Sequence, residues 1–267
     1  MIFSRMKVIL LKLYRFLVMF GFDPIKTINS IKGLPYYFRN LILLKKQQKK
    51  SMQKIPFGRL YPCLNDRFFD SGEAKGHYFH QDLLIASRVH QNNPKLHIDI
   101  GSRVDGFVAH VASFRKIKVL DIRPLSNKIL NVEFVQTDLM SPLINELYEC
   151  CDSLSCLHAM EHFGLGRYGD YVDYDGYLHG LENLYKILKK GGKLYFSVPI
   201  GPQRIEFDAH RVFSINYLLE LFENKYQIDH FSYVDDDGIL HSNVTMTDVN
   251  ENFGCKFGCG IFEMTKL

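Results

Sequence analysis

From residue 77 onward the 267-residue sequence predicts an α/β domain, a parallel sheet with helices on both faces, preceded by a basic helical segment. Two observations carry this. Short β-rich apolar runs alternate with longer amphipathic stretches, the signature of repeated βα units. The charge is also unevenly spread: residues 1–54 hold 12 Lys or Arg against the single acid Asp23, whereas the remainder carries 21 basic and 28 acidic residues. The spacing thus divides the chain into a basic segment over 1–60 and an α/β domain over 61–267.

The elements follow in order. Residues 2–20 alternate apolar pairs with Arg5, Lys7, Lys12 and Arg15; on a helix Arg5, Lys12 and Arg15 share an arc of about 80°. After a break at Gly21–Pro24, a second apolar run over 36–44 ends in Lys45, Lys46, Lys49 and Lys50. Residues 77–90 read as a helix stopped near Pro94. Then come a strand over 95–100, a helix over 106–114, and strands over 118–122, 132–136 and 152–158. A long helix over 175–189 ends at Gly191-Gly192, a good C-terminal stop. A strand over 193–198, a helix over 215–224, and strands over 228–234 and 258–266 complete seven strands.

The basic segment has the geometry of a helix lying in a lipid interface with its cations towards headgroups. Peripheral contact with an anionic membrane through residues 1–54 is therefore expected; docking of both helices on the main domain is the alternative. No recognition module accompanies the charge, so nucleic acid is not an expected partner. No stretch approaches the ~20 apolar residues of a transmembrane helix, and Lys12 and Arg15 interrupt any signal-peptide core. The six cysteines show no metal or redox spacing. Reduced thiols point to the cytoplasm, peripheral at the inner face of the membrane.

In such sheets ligands bind beyond the carboxyl ends of the strands. Asp99-Ile100-Gly101-Ser102 ends the first strand, where a glycine lets backbone approach a ligand. Asp121 ends the second, twenty residues after Gly101, where a carboxylate commonly takes ribose hydroxyls. Asp138, followed by Leu139, is placed to meet an adenine amine. His158, at the end of the fourth strand, precedes Glu161-His162.

Together these signals resemble the class I methyltransferases, whose run is glycine loop, ribose acid, adenine acid and a catalytic-edge segment. The Leu188-Lys189-Lys190-Gly191-Gly192-Lys193-Leu194 stretch is similar to the turn before the fifth strand in that superfamily. The resemblance implies a Rossmann-like sandwich, a seven-stranded, mostly parallel sheet closed by a C-terminal antiparallel hairpin. It also implies S-adenosylmethionine as cofactor, held by Asp99, Gly101, Ser102 and Gly106 of the loop with Asp121, Asp138, Leu139 and His158. The segments 77–82, 99–103, 161–170 and 208–213 further resemble a methyltransferase-like family of unknown function whose bacterial members often accompany surface-polysaccharide genes. One departure stands in the glycine loop, where Arg103 and Asp105 replace two glycines.

Methyl transfer to a sugar hydroxyl needs a base. Glu161 and His162 sit where the methyl would point, and His210 is the rival. Arg167 and Arg211 could grip an anionic group, and Tyr168 could face a sugar. Structural roles, such as a backbone bond for His162 or loop pinning for Arg167, are the alternative. His158-Ala159-Met160-Glu161-His162 also fits an inverted zinc-protease motif. That motif needs a helix, and three glycines follow here, so no metal is expected. The functional expectation is O-methylation of a small-molecule, glycan or glycolipid acceptor. The alternative is a catalytically degenerate binding or scaffold module at the membrane.

Overall fold

The computed structural model describes residues 2–53, 55–72 and 74–267, with side chains described from Leu10 onward. The chain forms two compact units, Met1–Glu73 and Ala74–Leu267.

In the first unit, α1 (Ile2–Met19) and α2 (Pro24–Lys50) are joined by a turn at Gly21, φ +82°. Asp23 starts α2 by accepting from the backbone N–H of Ile25 (3.0 Å) and Lys26 (3.1 Å), with Pro24 in the first turn. The second helix is longer than expected, running through Pro35 rather than beginning beside it. Lys49 and Lys50 occupy its last turn, where the helix dipole favours cations. Gly33 is buried because the following chain crosses it: a Cβ there would lie 2.2 Å from the Leu64 carbonyl oxygen. The expected cationic arc is only partly described, since the side chains of Arg5 and Lys7 lie outside the described residues.

In the second unit, α3 (His77–Asn92) precedes the parallel strands β1 (His97–Ile100), β2 (Ile117–Asp121), β3 (Val132–Gln136), β4 (Cys151–Leu157) and β5 (Leu188–Ile200). The helices α4 (Ala109–Ala112), α5 (Gly176–Ile187) and α6 (Ile215–Phe222) are interleaved with the strands. A small hairpin, β6 (Arg204–Glu206) with β7 (His210–Val212), follows β5. The chain closes with β8 (Tyr226–Val234), the two-residue edge strand β9 (Leu240–His241) and β10 (Gly258–Lys266). The sheet order is β3-β2-β1-β4-β5-β10-β8-β9. β10 runs antiparallel between β5 and β8, the closing pair expected from the methyltransferase resemblance. The added edge strand β9 makes the sheet eight-stranded.

Both faces of the sheet are covered, as period-two alternation requires. Tyr195 and Ile261 face one side with Ile85 and Val89 of α3 and Val111 of α4. Their neighbours Phe196 and Phe262 face the other with Leu184 of α5 and Leu218 and Phe222 of α6. Two expected boundaries move for local reasons. The helix after β1 begins as a wide turn over Val104–Val108, kinked at Gly106, whose missing side chain leaves room for Asp82 Oδ2 (2.5 Å from a Cβ there). Helix α5 stops at Ile187 rather than at Gly191-Gly192. Leu188 and Lys193 both pair with β4, and the glycines lie in the bulge between them.

Candidate active site

The order β2-β1-β4 puts the reversal of strand order between β1 and β4, and a cavity of about 350 Å³ opens beyond the carboxyl ends of these strands. Gly101 forms its floor with φ +68°, and a Cβ there would stand 3.0 Å from that of Ala159. Glycine is required because the turn is left-handed and the two loops touch.

Beneath the floor, Asp99 is fully buried and does not reach the cavity. Its carboxyl accepts from the Ser102 N–H (3.0 Å), the Ser102 hydroxyl (2.7 Å) and the Ser155 hydroxyl (2.5 Å). Burial pushes its pKa up to about 7 despite those three donors. Asp99 and Ser102 therefore hold the turn from below, and Gly106 serves the contact with Asp82. None of the three touches the cavity. The substituted glycines do not fill the cavity: Arg103 stands at its rim and pairs outward with Asp105 at 2.8 Å, both largely exposed.

Asp121 and Asp138 both line the cavity, with Leu139 between apolar Leu120, Ile122 and Met140. Asp121 accepts three bonds from Arg123, from its backbone N–H (2.8 Å), Nε (3.0 Å) and Nη2 (2.6 Å). Asp138 accepts from the Met140 N–H (2.9 Å) and the Ser141 hydroxyl (3.1 Å), fixing the turn after β3. Arg123 also lies 4.6 Å over the Tyr168 ring, which Arg167 approaches at 5.1 Å. Tyr168 is thus flanked by two cations on the cavity wall.

His158, at φ +50°, donates from Nδ1 to Glu161 Oε1 at 2.7 Å, both side chains buried. Burial opposes the charge on His158, but Cys259 and Glu161 hold its pKa well above the usual range. Burial pushes Glu161 up, yet His158 and His162 draw it below its usual value. The pair is a buried imidazolium–carboxylate. His162 lines the cavity and donates from Nδ1 to the Ala209 carbonyl (2.7 Å). Burial lowers its pKa, so near neutral pH it is an uncharged ring with Nε2 as its lone-pair nitrogen. That Nε2 lies 3.7 Å from Glu161 Oε1.

The remaining candidates separate. Arg167 lines the cavity but donates to Ala209 O (2.9 Å). His210 packs on Phe257, ring centroids 5.0 Å apart, and does not line the cavity. Arg211 is buried and donates to the carbonyls of Phe163 (2.6 Å) and Tyr174 (2.9 Å), with its guanidinium 4.7 Å over the Tyr177 ring. Its donors hold the chain together, and a substrate grip is not the role these contacts describe. Sequence reasoning missed Tyr78, Arg123 and Asp170, all on the cavity wall. Asp170 accepts from the N–H groups of Gly164, Gly166 and Tyr168, which organises the glycine-rich loop. Arg123, two residues past the ribose acid, had a sequence signal in its position alone.

Several solved structures are similar in fold. The N-methyltransferase NodS from Bradyrhizobium japonicum WM9, solved with S-adenosyl-L-homocysteine, is 12% identical at TM-score 0.47 over 72% of this chain and 88% of that one. The 1,6-didemethyltoxoflavin-N1-methyltransferase of Burkholderia thailandensis is 16% identical at TM-score 0.45, over 70% and 78%. The [4+2]-cyclase SpnF is 12% identical at TM-score 0.49, over 70% and 80%. No curated protein matches the sequence. A family model does match, over residues 112–253, which run from the end of α4 through β2–β9 and include Asp121, Asp138, Glu161 and His162. With more than half its length so matched, the chain belongs to the family described as Caenorhabditis protein of unknown function, DUF268.

Proposed function

We propose that the chain is an S-adenosylmethionine-dependent methyltransferase acting on a hydroxyl of a small-molecule, glycan or glycolipid acceptor. The observation that carries the reading is the cavity at the reversal of strand order, with Gly101, Asp121 and Asp138 in chain order on three successive strand ends. The residues fit the cofactor. Asp121 offers a remaining acceptor position for ribose, since a carboxylate has about four lone-pair sites and Arg123 takes three. Leu120, Ile122, Leu139 and Met140 give adenine an apolar slot beside Asp138. The size suits a nucleoside-sized ligand.

When bound, S-adenosylmethionine supplies an electrophilic methyl carbon whose bonding electrons leave with sulfur. The chain's part is to place the acceptor oxygen and remove its proton. His162 Nε2 is the base this reading favours over His210, because His162 is uncharged, lines the cavity and is oriented by Ala209 O. Glu161 then stabilises the imidazolium formed, at 3.7 Å. Tyr168 offers an aromatic face to the CH groups of a sugar. Of the other nearby tyrosines, Tyr177 is buried against Phe213 and bonded to Tyr217, so it belongs to the core.

The first unit supports a membrane-surface location. α1 exposes Leu10, Leu11, Leu13, Phe16 and Met19, and α2 exposes Ile42, Leu43 and Leu44 just before its lysines. No described helix is long and apolar enough to cross a membrane.

Calorimetric titration with S-adenosylhomocysteine tests the reading. Micromolar binding by the folded chain is the expected result. Absence of binding would sink it and leave a degenerate binding module.

A further inference from the structure

At the cavity wall, where His158 lines it, three metal-ligating side chains from distant parts of the sequence converge. His77 opens α3, His158 follows β4, and Cys259 lies in β10. One ligand atom from each lies within 4.8 Å of the other two. No motif announces the group, because its members are scattered over the chain and meet only when β10 inserts beside β5. His158 and His162 fit an inverted zinc-protease motif by sequence, but no α-helix carries it; the residue that joins His158 here is His77, with a thiol.

We infer that His77, His158 and Cys259 form a binding site for a zinc-class divalent cation. In a tetrahedral site with Zn–N near 2.0–2.1 Å and Zn–S near 2.3 Å, ligand atoms stand roughly 3.3–3.8 Å apart. The trio needs to contract by up to about 1.5 Å to reach that spacing. The two histidine rings are stacked, 10° apart with centroids at 5.1 Å, so one must turn for both in-plane lone pairs to meet a common ion. His77, on the first turn of α3, packs on His158 and Phe257, and loading the site turns its ring out of that stack.

A second observation points to a ligand. His158 is only 8% exposed, and its Nε2 is buried without a hydrogen-bond partner. Buried polar atoms are rarely left so, and a bound water or ion is one of the few things that satisfies such an orphan. The other ring nitrogen is bonded to Glu161 at 2.7 Å, the carboxylate–histidine arrangement that orients metal-ligating imidazoles. Glu161 Oε2 is a second buried orphan in the same place.

Charge also balances. A divalent cation with the Cys259 thiolate and the Glu161 carboxylate sums to zero, which lets the group stay buried. Binding displaces the Cys259 thiol proton, and any proton on the ligating histidine nitrogens, to solvent. Three protein ligands leave a fourth position, the pattern of sites that take a water or substrate. The site does not rest on the methyl-transfer reading, and either can stand without the other.

The test uses the full chain, stripped with a chelator and titrated with Co²⁺ as probe. The expected result is one Co²⁺ per chain with a near-ultraviolet thiolate-to-cobalt band and the visible bands of a tetrahedral ion. Cys259→Ser abolishes the thiolate band, and His77→Ala weakens binding at least tenfold. Cys63→Ser, at an exposed thiol in the first unit, leaves both unchanged. Circular dichroism checks that the variants fold, and His77→Ala alone suffices if Cys259→Ser does not. A folded wild type that takes up no Co²⁺, or a thiolate band that survives Cys259→Ser, overturns the site. Titrating S-adenosylhomocysteine into stripped and loaded protein separates its failure from that of the cofactor reading.

Discussion

The most informative perturbation is at Asp121 and Arg123 together. Asp121 is largely buried at the end of β2 while Arg123 is 43% exposed on its side chain, and the two share three hydrogen bonds. If Asp121 binds the ribose, Asp121→Ala removes a charge-assisted hydrogen bond of about 1.5–3 kcal/mol. That is a 10- to 150-fold loss of affinity for S-adenosylhomocysteine. Arg123 competes for the same oxygens, but as a half-exposed partner it contributes at most about 1 kcal/mol. Arg123→Ala should therefore tighten binding by up to about fivefold, and in the Asp121→Ala background it should change nothing. Calorimetry on the four proteins gives the cycle directly. If Arg123→Ala weakens binding as much as Asp121→Ala, the guanidinium contacts the ligand and the ribose assignment fails. Unchanged affinity in Asp121→Ala would remove this carboxylate from the cofactor site altogether.

Four further outcomes follow from other parts of the molecule. The Asp99 pKa is raised by burial from 3.8 to about 7, so the folded state keeps a proton that the unfolded chain releases between those values. Its contribution to stability therefore falls as pH rises from about 4 to about 7, and urea titrations of Asp99→Asn should lack that part of the slope. Gly164→Ala places a Cβ 1.9 Å from the Asp173 carbonyl oxygen at φ +74°; thermal melts should show a loss of about 3 kcal/mol or more, or no folded protein. Arg211→Lys cannot reproduce the fork to Phe163 and Tyr174, and chemical denaturation should show a loss of about 2–4 kcal/mol; unchanged stability would contradict the bracing role. Replacing Lys45 and Lys46 with Gln should weaken co-sedimentation with anionic vesicles roughly 30-fold, at ~1 kcal/mol per charge; unchanged sedimentation would count against the membrane surface.

Much of the architecture was legible because its signals are local. Period-two runs place β3 and β10 at their observed ends, and α3 begins at His77 as expected. The order of acids on strand ends was enough to gather Asp121, Asp138, His158 and His162 around one cavity. Boundaries failed where a neighbour decided the backbone. Gly191-Gly192 carries a helix-stop signal, yet pairing with β4 drew Leu188 into the strand before that signal was reached. Gly106 suits a helix start by sequence, but Asp82 from α3 takes the space beside it.

The roles of side chains were less legible than their positions. Arg211 reads as a grip for an anionic substrate group until β7 buries it beneath the carbonyls of Phe163 and Tyr174. Asp99 reads as a ligand acceptor until Ser155, from a strand 56 residues away, closes over it. Composition and periodicity by themselves determined the α/β class, the basic first segment and the strand ends at which a ligand can bind, since these depend on the residue and its near neighbours. Only the tertiary structure decided which polar groups face the cavity and which are held by other parts of the chain. It also brought His77, His158 and Cys259 together, because burial and partnership are properties of contacts between residues far apart in sequence.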